Sequence, residues 1–170
     1  IVTIDGEDTR DIDDAISLTT NSKGNWVLGV HIADVGEYVP RNCVLDKEAF
    51  KRGTSVYFPN RVLPMLPREL SNGICSLNER VDRLALSVLV EYDKDFNKVG
   101  YDIKESVINS KKRFTYTQVH AILMDDPKAL AEFKPFVSML KNMNVLAQKL
   151  MEQRQKAGYI EFDIPEVSIS

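Results

Sequence analysis

Ala15-Ile16-Ser17-Leu18-Thr19-Thr20-Asn21-Ser22-Lys23-Gly24-Asn25-Trp26-Val27-Leu28-Gly29-Val30-His31-Ile32-Ala33 reads as two β-prone runs, 15–20 and 26–33, divided by five turn-forming residues. Branched and aromatic side chains suit a pleated surface, and Asn and Gly supply the turn conformations, so the stretch predicts a β-hairpin. Working outward, residues 45–52 predict a short helix ended by Gly53, and 54–58 is β-prone. Pro59, Pro64 and Pro67 predict a stiff loop over 59–67 with no regular element, after which a helical turn opens at Pro67 and closes at Gly73. Residues 83–93 set Leu84, Leu86, Val88 and Val90 on one face of a strand, and 99–110 returns antiparallel through the turn 95–98. Thr115 with Gln118 forms a capping-box pattern, Asp126-Pro127 reads as cap and first helical position, and Pro135 restarts the path. Phe136, Val137, Leu140, Met143, Leu146, Ala147 and Leu150 then keep helical spacing towards Gly158, and 159–164 returns to alternation before Pro165. Strands early and helices late indicate an α+β fold, a mixed, largely antiparallel sheet with packed helices, rather than repeated βαβ units.

The 170 residues, 44% hydrophobic and 28% charged, suffice for one domain with a real core. No window approaches the roughly 18 unbroken apolar residues of a membrane helix. The start is acidic where a signal peptide is basic and then apolar, so neither membrane nor secretion is expected. Cys43 and Cys75 lack metal-binding spacing and read as free thiols, in keeping with a reducing interior. The chain opens without Met and stops at Ser170 inside an alternating run, as expected of a piece cut from something longer.

A net charge of −3 argues against a broadly basic nucleic-acid clamp, but the charge is uneven. Residues 1–14 hold Asp5, Glu7, Asp8, Asp11, Asp13 and Asp14 against Arg10 alone, six negatives against one positive; this leaves −5 there and +2 on the remainder. Crowded carboxylates repel, which raises their pKa values or requires a cation, and all-oxygen donor sets suit hard ions such as Mg²⁺ or Mn²⁺. In extended backbone Asp11 and Asp13 share a face about 7 Å apart, Asp14 takes the other face unless the loop bends, and Asp5 must arrive from a neighbouring strand. Converging carboxylates of this kind can hold two ions roughly 4 Å apart for phosphodiester hydrolysis. A solvated acidic turn is the competing reading. An EF-hand fails, because counting from Asp5 puts Arg10 at the sixth position and Ile16 at the twelfth. No Walker loop, Gly-x-Ser-x-Gly or HExxH occurs.

The string Thr3-Ile4-Asp5 followed by Asp11-Ile12-Asp13-Asp14-Ala15 resembles the signature of the ribonuclease II family catalytic domain, the RNB domain, especially its ribonuclease R branch. Further strings agree in order: Gly29-Val30-His31-Ile32-Ala33-Asp34-Val35, Arg52-Gly53-Thr54-Ser55-Val56-Tyr57-Phe58-Pro59, Pro64-Met65-Leu66-Pro67-Arg68-Glu69-Leu70-Ser71, Cys75-Ser76-Leu77-Asn78 and Gly158-Tyr159-Ile160-Glu161-Phe162. The resemblance runs nearly end to end and covers about the first half of a typical RNB domain. It implies a processive 3′ to 5′ hydrolytic exoribonuclease that releases nucleoside 5′-monophosphates with Mg²⁺, or Mn²⁺ in its place. By that resemblance Asp5, Asp11, Asp13 and Asp14 match the four site aspartates, with Asp5 and Asp14 the better fits for direct ligation, Asp11 and Asp13 serving ligation or water positioning, and Asp13 the one most tied to catalysis. Tyr57 matches a tyrosine that stacks on or positions the terminal nucleotides of single-stranded RNA, a contact that tolerates any base.

Arg68 is a candidate phosphate contact, as are Arg52, Arg80 and Arg83, and Asn78 a candidate RNA hydrogen-bonder or turn cap. Glu7 and Asp8 fall outside the matched pattern and read as solvated loop charges. His31 reads as a satisfied sheet histidine and Asp34 as a strand-end turn residue; His120 has no role. Family members carry OB-type cold-shock and S1 domains that feed RNA into the channel, and their site adds an arginine, a glutamate and a second aromatic; all of these are expected outside residues 1–170. The isolated stretch is therefore expected to be weak or inert. An inactive RNA-binding module and an assembly fragment with an exposed sheet edge are the rival readings.

Overall fold

The computed structural model describes residues 1–58 and 61–160. The hairpin forms as β2 (Asp14–Thr20) and β3 (Trp26–Ala33), antiparallel, with Asp14 opposite Ile32 and Thr20 opposite Trp26. Asn21 explains the turn. Its Oδ1 accepts the N–H groups of Lys23 and Asn25 at 3.0 and 3.1 Å, and Gly24 takes φ +79°, a conformation that side chains resist. β6 (Asp82–Tyr92) and β7 (Lys98–Asn109) extend this into a four-stranded antiparallel sheet of order β2-β3-β6-β7.

The two faces of the sheet differ. Leu84, Leu86, Val88 and Val90 do share a face, yet Leu86 is 44% exposed, while the buried positions of β6 are Ala85 and Ser87 on the other side. On that buried side a polar chain crosses the strands: Ser17 Oγ to His31 Nε2 at 3.0 Å, His31 Nδ1 to Ser87 Oγ at 2.6 Å, and Ser87 Oγ to Ser106 Oγ at 2.6 Å. Gly29 makes room for it, since a Cβ there would run into Ser17 Oγ and come within 2.8 Å of His31 Nε2. Both imidazole nitrogens are thus engaged, and burial holds the His31 pKa below its ordinary value. The unfolded chain takes up this proton first as pH falls below about 6.5, so stability should decline between pH 6.5 and 5. Unfolding midpoints across that window should show the decline in the wild type and a flatter profile in His31→Gln.

Helices cover one end of the opposite face. α3 (Tyr116–Leu123) starts from the complete capping box of Thr115 and Gln118, and Asp126 caps α4 (Pro127–Glu132) through the N–H groups of Lys128 and Ala129. α5 (Lys134–Lys156) carries Pro135 in its first turn, where a missing N–H costs nothing. Their apolar sides enclose Val2, Phe114, Ile122, Ala129, Phe133 and Leu140, with Ile4 and Ile16 packed alongside. The rings of Phe133 and Phe136 meet Phe114 edge-on at 5.2 and 5.4 Å.

Two strand pairings depart from the sequence expectation. The stretch between the prolines is not all loop: β5 (Arg61–Leu63) pairs antiparallel with β4 (Val56–Phe58). Proline restricts mainly its own φ and N–H, so the three strand residues Arg61, Val62 and Leu63 keep every donor the short ladder needs. Next, β1 (Thr3–Asp5) pairs parallel with β8 (Arg113–Thr115), and Val2 bridges Ile16. The acidic stretch therefore leaves one sheet element and enters another, with both ends anchored. α1 (Val35–Tyr38) and α2 (Val44–Arg52) connect β3 to β4, and the residues after Pro67 wind as a π-helical turn over Glu69–Ile74. Tyr159 and Ile160 are not in a strand, and the rest of the expected run to Ile164 lies outside the described residues.

Candidate functional site

The acidic loop is shaped by the residues between the aspartates. Ile12 is 1% exposed and packs with Ala15, Ala33, Leu77, Ala85 and Ile108 beneath the sheet. Its backbone is gripped as well: Ser76 Oγ accepts the Ile12 N–H at 3.1 Å and donates to the Arg10 carbonyl at 2.8 Å, and the Leu77 N–H reaches the Ile12 carbonyl at 2.9 Å. Burying Ile12 in extended backbone turns its neighbours outward. Asp11 and Asp13 accordingly open onto a cleft of about 580 Å³, whose walls include Arg10, Tyr57, Pro64, Arg68 and Asn72.

Tyr57 Oη donates to Asp11 Oδ2 at 3.0 Å, while the tyrosine side chain is 65% exposed. That carboxylate partner holds the phenol proton, raising the Tyr57 pKa. The walls around Asp13 strip away hydration although its side chain reaches solvent, and together with the charges of Asp11 and Asp14 they raise its pKa. Asp5, at the end of β1, is raised for the same leading reason, with Asp14 and Asp13 adding repulsion and Arg113 opposing it. Its Oδ2 is buried with no hydrogen-bond partner among the described residues. The charges of Asp11 and Asp14 thus act on Asp13, and those of Asp14 and Asp13 on Asp5, although Asp5 and Asp14 do not line the cleft.

Hard divalent ions suit this donor set: it is all carboxylate, its charges repel, and one buried oxygen lacks a partner. The described His, Cys, Asp and Glu side chains do not, as they stand, bring three groups to ligating distance.

The arginines divide by what they already hold. Arg68 lines the cleft, and among the described residues it makes only a 3.5 Å contact to the Val62 carbonyl. Arg83 is spent on the carbonyls of Ser76 and Gly73 at 2.9 and 3.2 Å, where it clamps the end of the π-helical turn. Arg52 joins Glu48 and the Pro64 carbonyl, and Arg80 pairs with Glu79. Asn78 lies off the cleft lining, its amide turned to the Asn72 carbonyl at 3.4 Å, while Asn72 is on the wall. Asp34 precedes α1 and faces a separate hollow with Glu37 and Glu105. Glu7 is exposed but accepts the Thr117 hydroxyl at 2.6 Å, which ties the loop to the first turn of α3.

Two residues escaped the sequence reading. Ser76 is the bracket just described. Arg113 donates from one nitrogen, Nη2, to the carbonyls of Gly6, Glu7 and Thr9 at 2.9, 3.1 and 2.8 Å. Neither shows a local signal, because the groups they hold lie more than 60 residues away in sequence.

Residues 1–170 match the RNB domain from end to end. The chain belongs to the RNB domain family. Ribonuclease R of Thermotoga maritima is 52% identical to this RNB chain over 170 residues, which is 99% of the chain and 24% of that protein. Ribonuclease R of Vibrio cholerae is 46% identical over 166 residues, 98% of the chain and 20% of the relative. The RNB chain thus spans about a quarter or less of the length of these curated relatives. Among solved structures, Mycoplasma genitalium RNase R in complex with ribose-methylated single-stranded RNA superposes with TM-score 0.83 at 35% identity, covering 94% of this chain and 25% of that one. The same enzyme with double-stranded RNA superposes equally well. The mixed α+β architecture is that of these RNB-fold enzymes.

Proposed function

We propose that the whole protein is a 3′ to 5′ hydrolytic exoribonuclease acting on single-stranded RNA, and that residues 1–170 form the metal-bearing portion of its RNB catalytic domain. One observation carries the proposal: Asp11 and Asp13 open onto the same cleft as Tyr57 and Arg68, so acidic, aromatic and cationic groups converge where an RNA end can enter. Membership of the RNB family and the ribonuclease R relatives support it.

Asp5, Asp11, Asp13 and Asp14 would hold Mg²⁺ or Mn²⁺. When bound, such ions supply an activated water and neutralise charge on the leaving oxygen, the two-metal arrangement for in-line phosphodiester displacement. Asp13 orients the attacking water against the terminal phosphodiester, and Asp11, steadied by the Tyr57 hydroxyl, fixes the geometry beside it. The exposed Tyr57 ring stacks on a terminal base without selecting it, and the Arg68 guanidinium meets a backbone phosphate. Hydrolysis at the last linkage releases a nucleoside 5′-monophosphate. OB-type cold-shock and S1 domains elsewhere in the protein would thread the strand. The setting is cytoplasmic, in keeping with the two free cysteines.

The test is incubation of the whole protein with 5′-labelled single-stranded RNA and Mg²⁺, with and without chelator. Stepwise shortening from the 3′ end that stops with chelator is expected; internal fragments, or shortening that ignores the chelator, would sink the proposal. Tyr57 is checked separately. Tyr57→Ala should weaken binding of an RNA end by about 1–3 kcal/mol, the usual worth of one stacked base, whereas Tyr57→Phe keeps the ring and most of the affinity. Fluorescence anisotropy with a short labelled oligonucleotide reads both.

A further inference from the structure

Arg113 sits where the ends of the acidic loop meet. The β1–β8 pairing sets Arg113 opposite Thr3, and its side chain runs under the loop that follows Asp5. There a single guanidinium nitrogen gathers the carbonyls of Gly6, Glu7 and Thr9. Charge-assisted bonds of this kind are stronger than neutral ones, and the two N–H groups of Nη2, one of them shared between two carbonyls, fix the path of four residues. The Arg113 backbone is held in turn, its N–H donating to Glu79 Oε2 at 2.9 Å, and Glu79 is braced by Lys112 at 3.3 Å. Thr117 adds a second tether through Glu7.

We propose that Arg113 is the positioning residue that sets the divalent-ion affinity of the aspartate cluster, by holding loop 6–9 so that Asp5 on one side and Asp11 to Asp14 on the other stay close enough for an ion to draw them together. This rests on the metal-dependent reading of the site. Two effects oppose each other when Arg113 is removed: loss of a nearby positive charge favours a cation, and release of the loop disfavours it. Loop release wins, because the positive charge is already committed to three carbonyl dipoles whereas ligand convergence depends on the loop path.

The experiment measures Mn²⁺ affinity by isothermal titration on the whole protein, alongside hydrogen exchange at the loop amides and at the sheet amides of β3. Arg113→Met should weaken Mn²⁺ binding by about tenfold or more, as for other residues that orient metal ligands, and speed exchange in the loop but not in β3. Arg113→Lys should restore much of the affinity, since an ammonium offers three donors to three carbonyls. Thr117→Val, on the exposed helix face, should weaken it to a lesser degree. An unchanged or tightened affinity in Arg113→Met overturns the inference while leaving the metal reading intact. Should Arg113→Met fail to fold, an unchanged affinity in Thr117→Val does so. A wild type that takes up no Mn²⁺ overturns the metal reading and this inference with it.

Discussion

Asp13→Asn should lower the turnover of single-stranded RNA by the whole protein roughly a thousandfold while leaving the fold intact, because groups that control charge at a reacting phosphate are worth several kcal/mol and each ~1.4 kcal/mol is tenfold in rate. The shape of the side chain is preserved, and the Asp13 carbonyl still receives the Ala33 N–H at 2.9 Å. The strand therefore stays in place and only a charge is lost. Affinity for the RNA end should change little, because Tyr57 and Arg68 still form the cleft wall. Single-turnover rates at saturating enzyme separate the two effects, and a mutant that still shortens RNA at the wild-type rate would remove Asp13 from the chemistry.

The second large effect concerns Ile12, which touches no substrate. Ile12→Ala empties a fully buried site among Leu77, Ala85 and Ile108, and should cost about 2–5 kcal/mol, a large share of the ~5–15 kcal/mol that holds an ordinary domain folded. The site should suffer with the fold. Ile12 is the inward-facing residue between Asp11 and Asp13, so a looser Ile12 lets both carboxylates wander from the cleft. Denaturant unfolding gives the stability change, and activity should fall even where the variant remains folded. Ile12→Val, which keeps most of the volume, should come close to wild type in both measurements.

What could be read in advance follows the range of the interactions. The hairpin 15–33 was legible because Asn21 and Gly24 make its turn locally, and the capping box of Thr115 and Gln118 lies within one helical turn. The aspartates were legible as a crowd of like charges, Tyr57 came from the resemblance to the RNB domain, and Arg68 from the fit of a guanidinium to phosphate oxygens. What placed them was not local. The parallel pairing of β1 with β8 joins residues over a hundred positions apart, and no alternation or cap announces it. Arg113 looks like any charged residue at the head of a strand until that pairing brings the acidic loop above it. Ser76 lies in one of the strings that resemble the RNB domain, but nothing local shows that its hydroxyl holds the Ile12 N–H and the Arg10 carbonyl. The strand between Pro59 and Pro64 was hidden by giving prolines more reach than their own φ and N–H allow.

The central claim is that this crowd of carboxylates is unfavourable in the folded chain until divalent ions neutralise it. Burial and mutual repulsion raise the pKa values of Asp5 and Asp13, so their charged forms work against folding at neutral pH. A ligand bound only by the folded state at a hundred times its Kd adds about 2.7 kcal/mol. The most direct measurement is thermal unfolding of wild type, Asp5→Asn and Asp13→Asn with and without Mn²⁺. The account predicts that without metal the two variants unfold at or above the wild-type temperature, and that Mn²⁺ raises the wild type by roughly 5 °C or more but raises the variants much less. Variants that are less stable than wild type without metal, together with no response of the wild type to Mn²⁺, would contradict it.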